Sequence, residues 1–280
     1  MFDSYSYKFG NVTYDLGSRT HIMGILNVTP DSFSDGGKYF NLKDAVGRAK
    51  QMESEGADFV DVGGQSTRPG SEEISVEEEL KRVIPVIQAL KKEIKVPISI
   101  DTYRSQVADE ALSNGAVIVN DISAFNFDPE MAHVVSKHKA SAVLMHIKGT
   151  PKNMQENPEY KDLVAEVLLY FEKAVWKGNV AGIDQLIIDP GIGFGKTAEH
   201  NLKLIRNMYE LKKLDCPVMI GVSRKSSIGI IAGAEINERL SGTVALNTVS
   251  ILNGVNIIRV HDVKEAVQAS KIVDMYKNLK

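Results

Sequence analysis

The chain contains one cysteine, Cys216, so no disulfide can form within it and a disulfide-stapled scaffold is excluded. It lacks any apolar stretch of the roughly 18 residues that a membrane-spanning helix needs. It also lacks a basic segment running into a long apolar one near its start, the mark of a secretory leader. Blocks of like charge are missing as well. The 33 Lys and Arg against 36 Asp and Glu leave a net charge of −3, which offers no electrostatic footprint for nucleic acid or an anionic membrane. Low-complexity segments are absent. These absences together point to a reducing cytoplasm. Cys216, beside Pro217 at the start of an apolar run, reads as a small buried hydrophobe rather than a nucleophile.

What remains is an ordinary globular composition, 43% hydrophobic and 25% charged over 280 residues, long enough for one large domain or two small ones. Residues 5–16 alternate aromatic and polar side chains around Gly10-Asn11, which predicts a small β-hairpin. Eight short apolar runs follow, at 22–28, 59–62, 98–100, 117–119, 142–145, 186–188, 218–222 and 256–260. They are mostly β-branched and continuous, as strands buried on both faces of a parallel sheet are. Helical patterns alternate with them at 42–55, 76–93, 106–113, 129–137, 160–181, 198–214, 238–253 and 263–279. The alternation predicts an α/β fold, a (β/α)8 barrel with a short hairpin before it, with residues 1–280 as a single domain. A doubly wound open sheet is the alternative. It usually has fewer strands and a Gly-x-Gly-x-x-Gly turn after the first one, and neither holds here.

In such a barrel the chemistry sits at the C-terminal ends of the strands. Here those ends carry Asn27, Asp61, Asp101, Asn120, His146, Asp189, then Arg224-Lys225, then Arg259 and His261. Any single Asp or Asn is more often a cap or a turn residue. Eight polar ends in succession are better explained by one ring around one ligand. Asp101, Asp189 and the amide of Asn120 suit an organic ligand rich in N–H groups and ring nitrogens. Asn27, Arg259 and His261 suit an anion accompanied by Mg2+, which often takes few protein oxygens. Two long loops with paired or terminal glycines, 28–40 and 64–75, follow the first two strands and read as a lid. Residues 189–197 imitate a phosphate loop ending in Gly-Lys-Thr, but Pro190 stands where the first glycine would be required.

These residues resemble those of the bacterial dihydropteroate synthases. The matching motifs run nearly end to end, through residues 24–37, 61–70, 99–102, 120–121, 189–197, 223–226 and 259–263. The resemblance implies condensation of 6-hydroxymethyl-7,8-dihydropterin diphosphate with p-aminobenzoate, yielding 7,8-dihydropteroate and pyrophosphate. It implies that Asp101, Asn120, Asp189 and Lys225 hold the pterin, with Met145 and Phe194 lining its slot and Arg259 stacking on its face. Asn27, Arg259 and His261 would hold the diphosphate and Mg2+, with Asn27 as the metal ligand. Phe33, Thr67, Pro69, Ser226 and the Lys225 stem would shape the p-aminobenzoate site, and Asp35 and Arg68 would help close the lid. Asp101, Lys225, Asn27, Arg259 and His261 are the expected catalytic set. Two positions depart from the family: Gln65 stands where Glu is common, and Ser227 where a larger apolar residue is common, which is expected to loosen the rim of the p-aminobenzoate pocket.

Competing readings are a methyltetrahydrofolate:corrinoid methyltransferase, a non-catalytic pterin-binding protein, and a Schiff-base aldolase using Lys225. The first should lack Ser-Thr-Arg-Pro-Gly and Ser-Arg-Lys-Ser, both present at 66–70 and 223–226. The second would be favoured by loss of Asn27, Lys225, Arg259 or His261, all of which are retained. The third needs a desolvated lysine, whereas Lys225 is flanked by Arg224 and serines. Apolar residues on the last helices (Val244, Leu246, Val249, Leu252, Ile272, Val273, Met275) suit either barrel packing or a subunit interface, and the resemblance favours a homodimer.

Overall fold

The computed structural model describes residues 4–29, 42–67 and 70–279. Phe33, Asp35, Arg68 and Pro69, to which the sequence assigns roles, therefore lie outside the described residues. The hairpin forms as expected: β1 (Ser6–Phe9) pairs antiparallel with β2 (Val12–Asp15) across Gly10-Asn11, where Gly10 takes φ +60°. Eight parallel strands follow, β3 (His21–Asn27), β4 (Phe59–Gly63), β5 (Ile98–Asp101), β6 (Ile118–Asp121), β7 (Ser141–Met145), β8 (Leu186–Asp189), β9 (Met219–Ile220) and β10 (Ile257–Val260). They form one sheet in the order β8-β7-β6-β5-β4-β3-β10-β9, and a parallel bridge between Ile188 and Val218 joins its two edges into a barrel.

Alternation of side chains along each strand divides the apolar residues between two cores. Outward residues such as Leu26, Val60, Val62, Ile100, Val119, Leu144, Ile188 and Ile258 pack with the surrounding helices. Inward residues Met23, Phe59, Ile118, Val143, Ile187, Met219 and Ile257 fill the lower barrel, where Tyr5, Phe9 and Leu16 plug it from below. Phe9 meets Phe59 edge-on, with ring centroids 5.1 Å apart. One step of two residues further up each strand, the inward positions become Asp61, Asn120, Met145, Asp189 and Arg259. The barrel interior thus turns from apolar to polar within a single layer.

The helices are α1 (Leu42–Glu55), α2 (Val76–Glu93), α3 (Ser105–Asn114), α4 (Met131–Lys137), α5 (Leu163–Val180), α6 (Ala198–Arg206), α7 (Ser226–Ala232), α8 (Leu240–Leu252) and α9 (Val263–Lys277). Three differ from expectation. The 198–214 segment is not one helix: Asn207 donates its side-chain amide to the Lys203 carbonyl at 2.7 Å and ends α6, after which Met208–Leu214 is a 3₁₀ helix. Helix α5 starts at Leu163, because Asp162 caps it by accepting from the Ala165 amide at 3.2 Å. Tyr160 instead belongs to the preceding loop and donates to the Gly195 carbonyl at 2.7 Å. Helix α7 was not expected; its seven residues include Gly229 and are too few to display a period.

Below the barrel, Asp58 accepts from the Ile22 amide at 2.8 Å and from Arg19 Nη1 at 3.0 Å, with His21 alongside. Burial opposes its charge, but His21 and the Arg19 guanidinium outweigh that and hold its pKa below the ordinary 3.8. A carboxylate of this kind stabilises the fold above its unfolded pKa, and that stabilisation is lost as pH falls through the folded value. Asp58→Asn is expected to lower stability at pH 7 by ~1–3 kcal/mol in urea unfolding. The gap to wild type should narrow as the pH is taken below 3.8.

Candidate active site

The polar layer at the top of the barrel is held together by one guanidinium. Arg259, on β10, donates from Nε to Asp61 Oδ2 and from Nη2 to Asp101 Oδ2, both at 2.6 Å. The same Asp61 oxygen accepts from Asn120 Nδ2 at 2.9 Å. Asp61 is fully buried, and its other oxygen, Oδ1, has no partner among the described residues. Nη1 of Arg259 likewise has no hydrogen bond among the described residues. Burial pushes the Asp101 carboxyl well above its ordinary 3.8; Arg259 opposes the shift and Asp61 adds to it. Asp189 is raised for the same first reason, burial, against a hydrogen bond from the Gly191 amide at 2.8 Å. Arg259, lying between the carboxylates, is raised despite burial.

Beside this layer lies an apolar cluster of Ile122, Met145, Ile147, Met154 and Phe194, with Tyr103 and Phe127 packed against it. Lys225 sets its ammonium 4.2 Å above the Phe194 ring centroid. Of the residues expected from sequence, the structure brings Asp101, Asn120, Asp189, Met145, Phe194, Lys225 and Arg259 to this one region. Ile122, Ile147 and Met154 complete the cluster and were not singled out. Asn27 ends β3 next to Gly63, whose neighbour in turn is Asp101. His261 follows β10, and its Nδ1 lies 3.0 Å from Ser223 Oγ on the β9 loop. Arg224 adopts φ +56° and donates from Nε to Asp262 at 3.0 Å, so these two loops are tied together. Thr67 is half-buried, and Ser226 is exposed as the first residue of α7.

Two expectations are corrected. His146 does not join the ring: Met145 takes the inward position on β7, so the next side chain faces α5. The His146 ring lies 4.6 Å from that of Tyr170 and its Nδ1 2.8 Å from Lys196 Nζ. Ser227 is not a rim residue but is 3% exposed within α7, its hydroxyl without a partner among the described residues. Asp61, which accepts from both Arg259 and Asn120, is the residue of this layer that sequence reasoning left without a role; the signal available was its place as the one acid within β4.

The stem of the loop after β4 is anchored. Gln65 Nε2 donates to Tyr103 Oη at 2.9 Å, and that hydroxyl donates to Glu73 at 3.2 Å. Arg104 bridges Glu73 and Glu79 at 2.8 and 2.9 Å.

The model of the pterin binding enzyme family matches residues 23–261. A dihydropteroate synthase of Synechocystis is 49% identical over 268 residues, covering 95% of this chain and 93% of the relative. The crystal structure of Yersinia pestis dihydropteroate synthase with a sulfonamide drug complex superimposes with a TM-score of 0.93 at 42% identity, covering 98% of this chain and 100% of that one. Xanthomonas albilineans dihydropteroate synthase in complex with 7,8-dihydropteroate gives a TM-score of 0.87 at 37% identity, covering 97% of this chain and 98% of that one.

Replacing Asp61 by Asn removes the negative charge that raises its neighbour and frees Arg259 for Asp101 alone. In Asp61→Asn, a carboxyl-carbon NMR titration should therefore find the Asp101 pKa shifted downward toward 3.8.

Proposed function

The chain belongs to the dihydropteroate synthases of the pterin-binding enzyme family, and from that membership we propose how its residues join a pterin diphosphate to p-aminobenzoate. It is a transferase of folate synthesis. The observation that supports the reading of the site is the polar layer of Asp61, Asp101, Asn120, Asp189 and Arg259 set beside the apolar cluster that holds Met145 and Phe194. Asp189 and Asp101 accept from the N–H edge of a pterin, and Asn120 both donates and accepts. Met145 and Phe194 cover the ring's apolar faces. The pterin and p-aminobenzoate sites meet at Lys225, with Thr67, Ser226, Phe33 and Pro69 assigned to the second substrate.

The reaction breaks the bond between the pterin's exocyclic methylene and diphosphate, whose oxygen keeps the electron pair. The aromatic amine's lone pair then forms the new C–N bond, and its proton passes to water. The electron-rich ring delocalises the cation left at the methylene, and the Asp101 carboxylate favours it electrostatically. Arg259 spends Nε and Nη2 on carboxylates and offers Nη1 to the leaving diphosphate, with Asn27 and His261 at the adjoining strand ends. The donor set fits Mg2+: the side-chain oxygen of Asn27 beside a diphosphate is the sparse oxygen environment this ion accepts. Held there, Mg2+ supplies charge neutralisation to the diphosphate oxygens. Asp35 and Arg68 are assigned to excluding water, which competes with the amine for the cation.

The exposed apolar residues of the last two helices support pairing of two copies. Val249, Leu252, Ile272, Met275 and Tyr276 are 44–71% exposed, whereas Val273 is buried and Leu246 packs against the barrel core. We place the enzyme in the cytoplasm as a homodimer of single barrel domains; among the described residues no helix is long and apolar enough to cross a membrane.

Mixing the enzyme with 6-hydroxymethyl-7,8-dihydropterin diphosphate, p-aminobenzoate and Mg2+ should release pyrophosphate and 7,8-dihydropteroate in equal amounts, and absence of product would overturn the reading. Lys225→Met should reduce kcat/KM by about 100-fold or more, on the scale of losing a charged site contact. Light scattering should give twice the monomer mass, and Ile272→Asp with Met275→Asp should give the monomer.

A further inference from the structure

The Gly-Lys-Thr stretch after β8 has no part in the reaction just described, yet its lysine is the one lysine in the buried class among the described residues, 2% exposed. None of the hydrogen-bond partners of Lys196 among those residues is a carboxylate. Its Nζ lies 2.8 Å from His146 Nδ1, 3.0 Å from the Gly191 carbonyl oxygen and 2.9 Å from that of Phe194. The His146 carbonyl is at 3.4 Å. Burial pushes the amine's pKa well below 10.5, against the pull of Asp189, and burial followed by Lys196 itself pushes His146 down. The amine donates to the two loop carbonyls, and the His146 ring nitrogen completes its surroundings.

The loop it holds leaves little slack. Gly191 and Gly195 have φ of +65° and +67° and lie directly against the backbone after β7. A Cβ on Gly191 would collide with the His146 carbonyl, and one on Gly195 would come within 2.5 Å of the Lys148 carbonyl. The two groups assigned to the pterin sit on the same short span. Asp189 accepts from the Gly191 amide, and Phe194, whose carbonyl the amine binds, turns its ring toward Lys225.

We propose that Lys196 is a positioning residue that clamps residues 189–196 onto the end of β7, and that it thereby sets how tightly the site grips the pterin ring. The clamp rests on the reading of Asp189 and Phe194 as pterin contacts. It acts on binding rather than on bond breaking, because the diphosphate is held from β3 and β10, across the barrel. Removing the amine strands two buried carbonyls, a cost that the loop relieves by moving.

Lys196→Met and His146→Leu test this by steady-state kinetics and amide hydrogen exchange. Lys196→Met should raise KM for the pterin diphosphate by roughly tenfold or more, leave kcat and the KM for p-aminobenzoate within about threefold, and speed exchange of the 190–196 amides. His146→Leu should shift both readouts in the same direction, and it carries the test if Lys196→Met does not fold. Faster loop exchange with an unchanged pterin KM would overturn the proposal, as would unchanged exchange, or a loss confined to kcat. Exchange needs no substrate, so it judges the clamp even if wild-type enzyme were to form no product, an outcome that would instead sink the assignment of the site.

Discussion

Eight parallel strands closed on themselves leave an interior wide enough for side chains in stacked layers and little else. Each layer must therefore satisfy its own polar atoms, since no water path runs through the apolar layer beneath. Here the lower layer is apolar and sealed by Phe9 and Leu16, while the upper layer gathers Asp61, Asp189 and Arg259, with Asp101 just above. Arg259 satisfies two of these three carboxylates. Burying the excess negative charge is costly, and the upward shifts of Asp101 and Asp189 express that cost. A ligand presenting N–H groups would relieve it by donating to Asp189, the carboxylate that Arg259 does not serve. In the proposed reading, recognition of a pterin edge and the cost of the ligand-free layer are two aspects of one electrostatic arrangement.

Most of this was legible in the residues. Continuous β-branched runs ending in Asp or Asn mark strands and site together, because burial on both faces and a polar last residue are local properties. Asp101, Asn120, Asp189 and Arg259 could be named from chain position alone. Other features depend on partners far away. Asp61 acquires its role from Arg259, 198 residues later; its place as the one acid of β4 sets it apart without revealing the partner it meets. His146 failed as a ring member because register, not proximity to a strand end, decides which side chain faces inward. The split at Asn207 and the short helix α7 fall where a single side-chain hydrogen bond, or too few residues, decides the conformation.

The loops after β7, β8, β9 and β10 are cross-braced. Lys196 joins the first two, while Ser223 with His261 and Arg224 with Asp262 join the last two. A barrel places strand ends to within the tolerance of its sheet, but catalysis demands closer placement than a free loop permits. The bracing explains how backbone as unfavourable as Arg224 at φ +56° persists: an ion pair with Asp262 and a hydrogen bond from its amide to Thr243 over-determine it.

The loop after β4 follows the same logic and accounts for the departure at Gln65. Its amide donates to the Tyr103 hydroxyl, whose one proton is then free to go to Glu73. A glutamate at 65 is an acceptor only when ionised, so two carboxylates would compete for that single proton and repel one another. With Glu73 and Glu79 already sharing Arg104, a third acid would add to the negative charge at this stem. Glutamine preserves the direction of the hydrogen-bond chain and anchors the stem of the loop without adding charge. The substitution therefore follows from the neighbours this chain has at 73, 79 and 103, and it leaves the polar layer within the barrel unaltered.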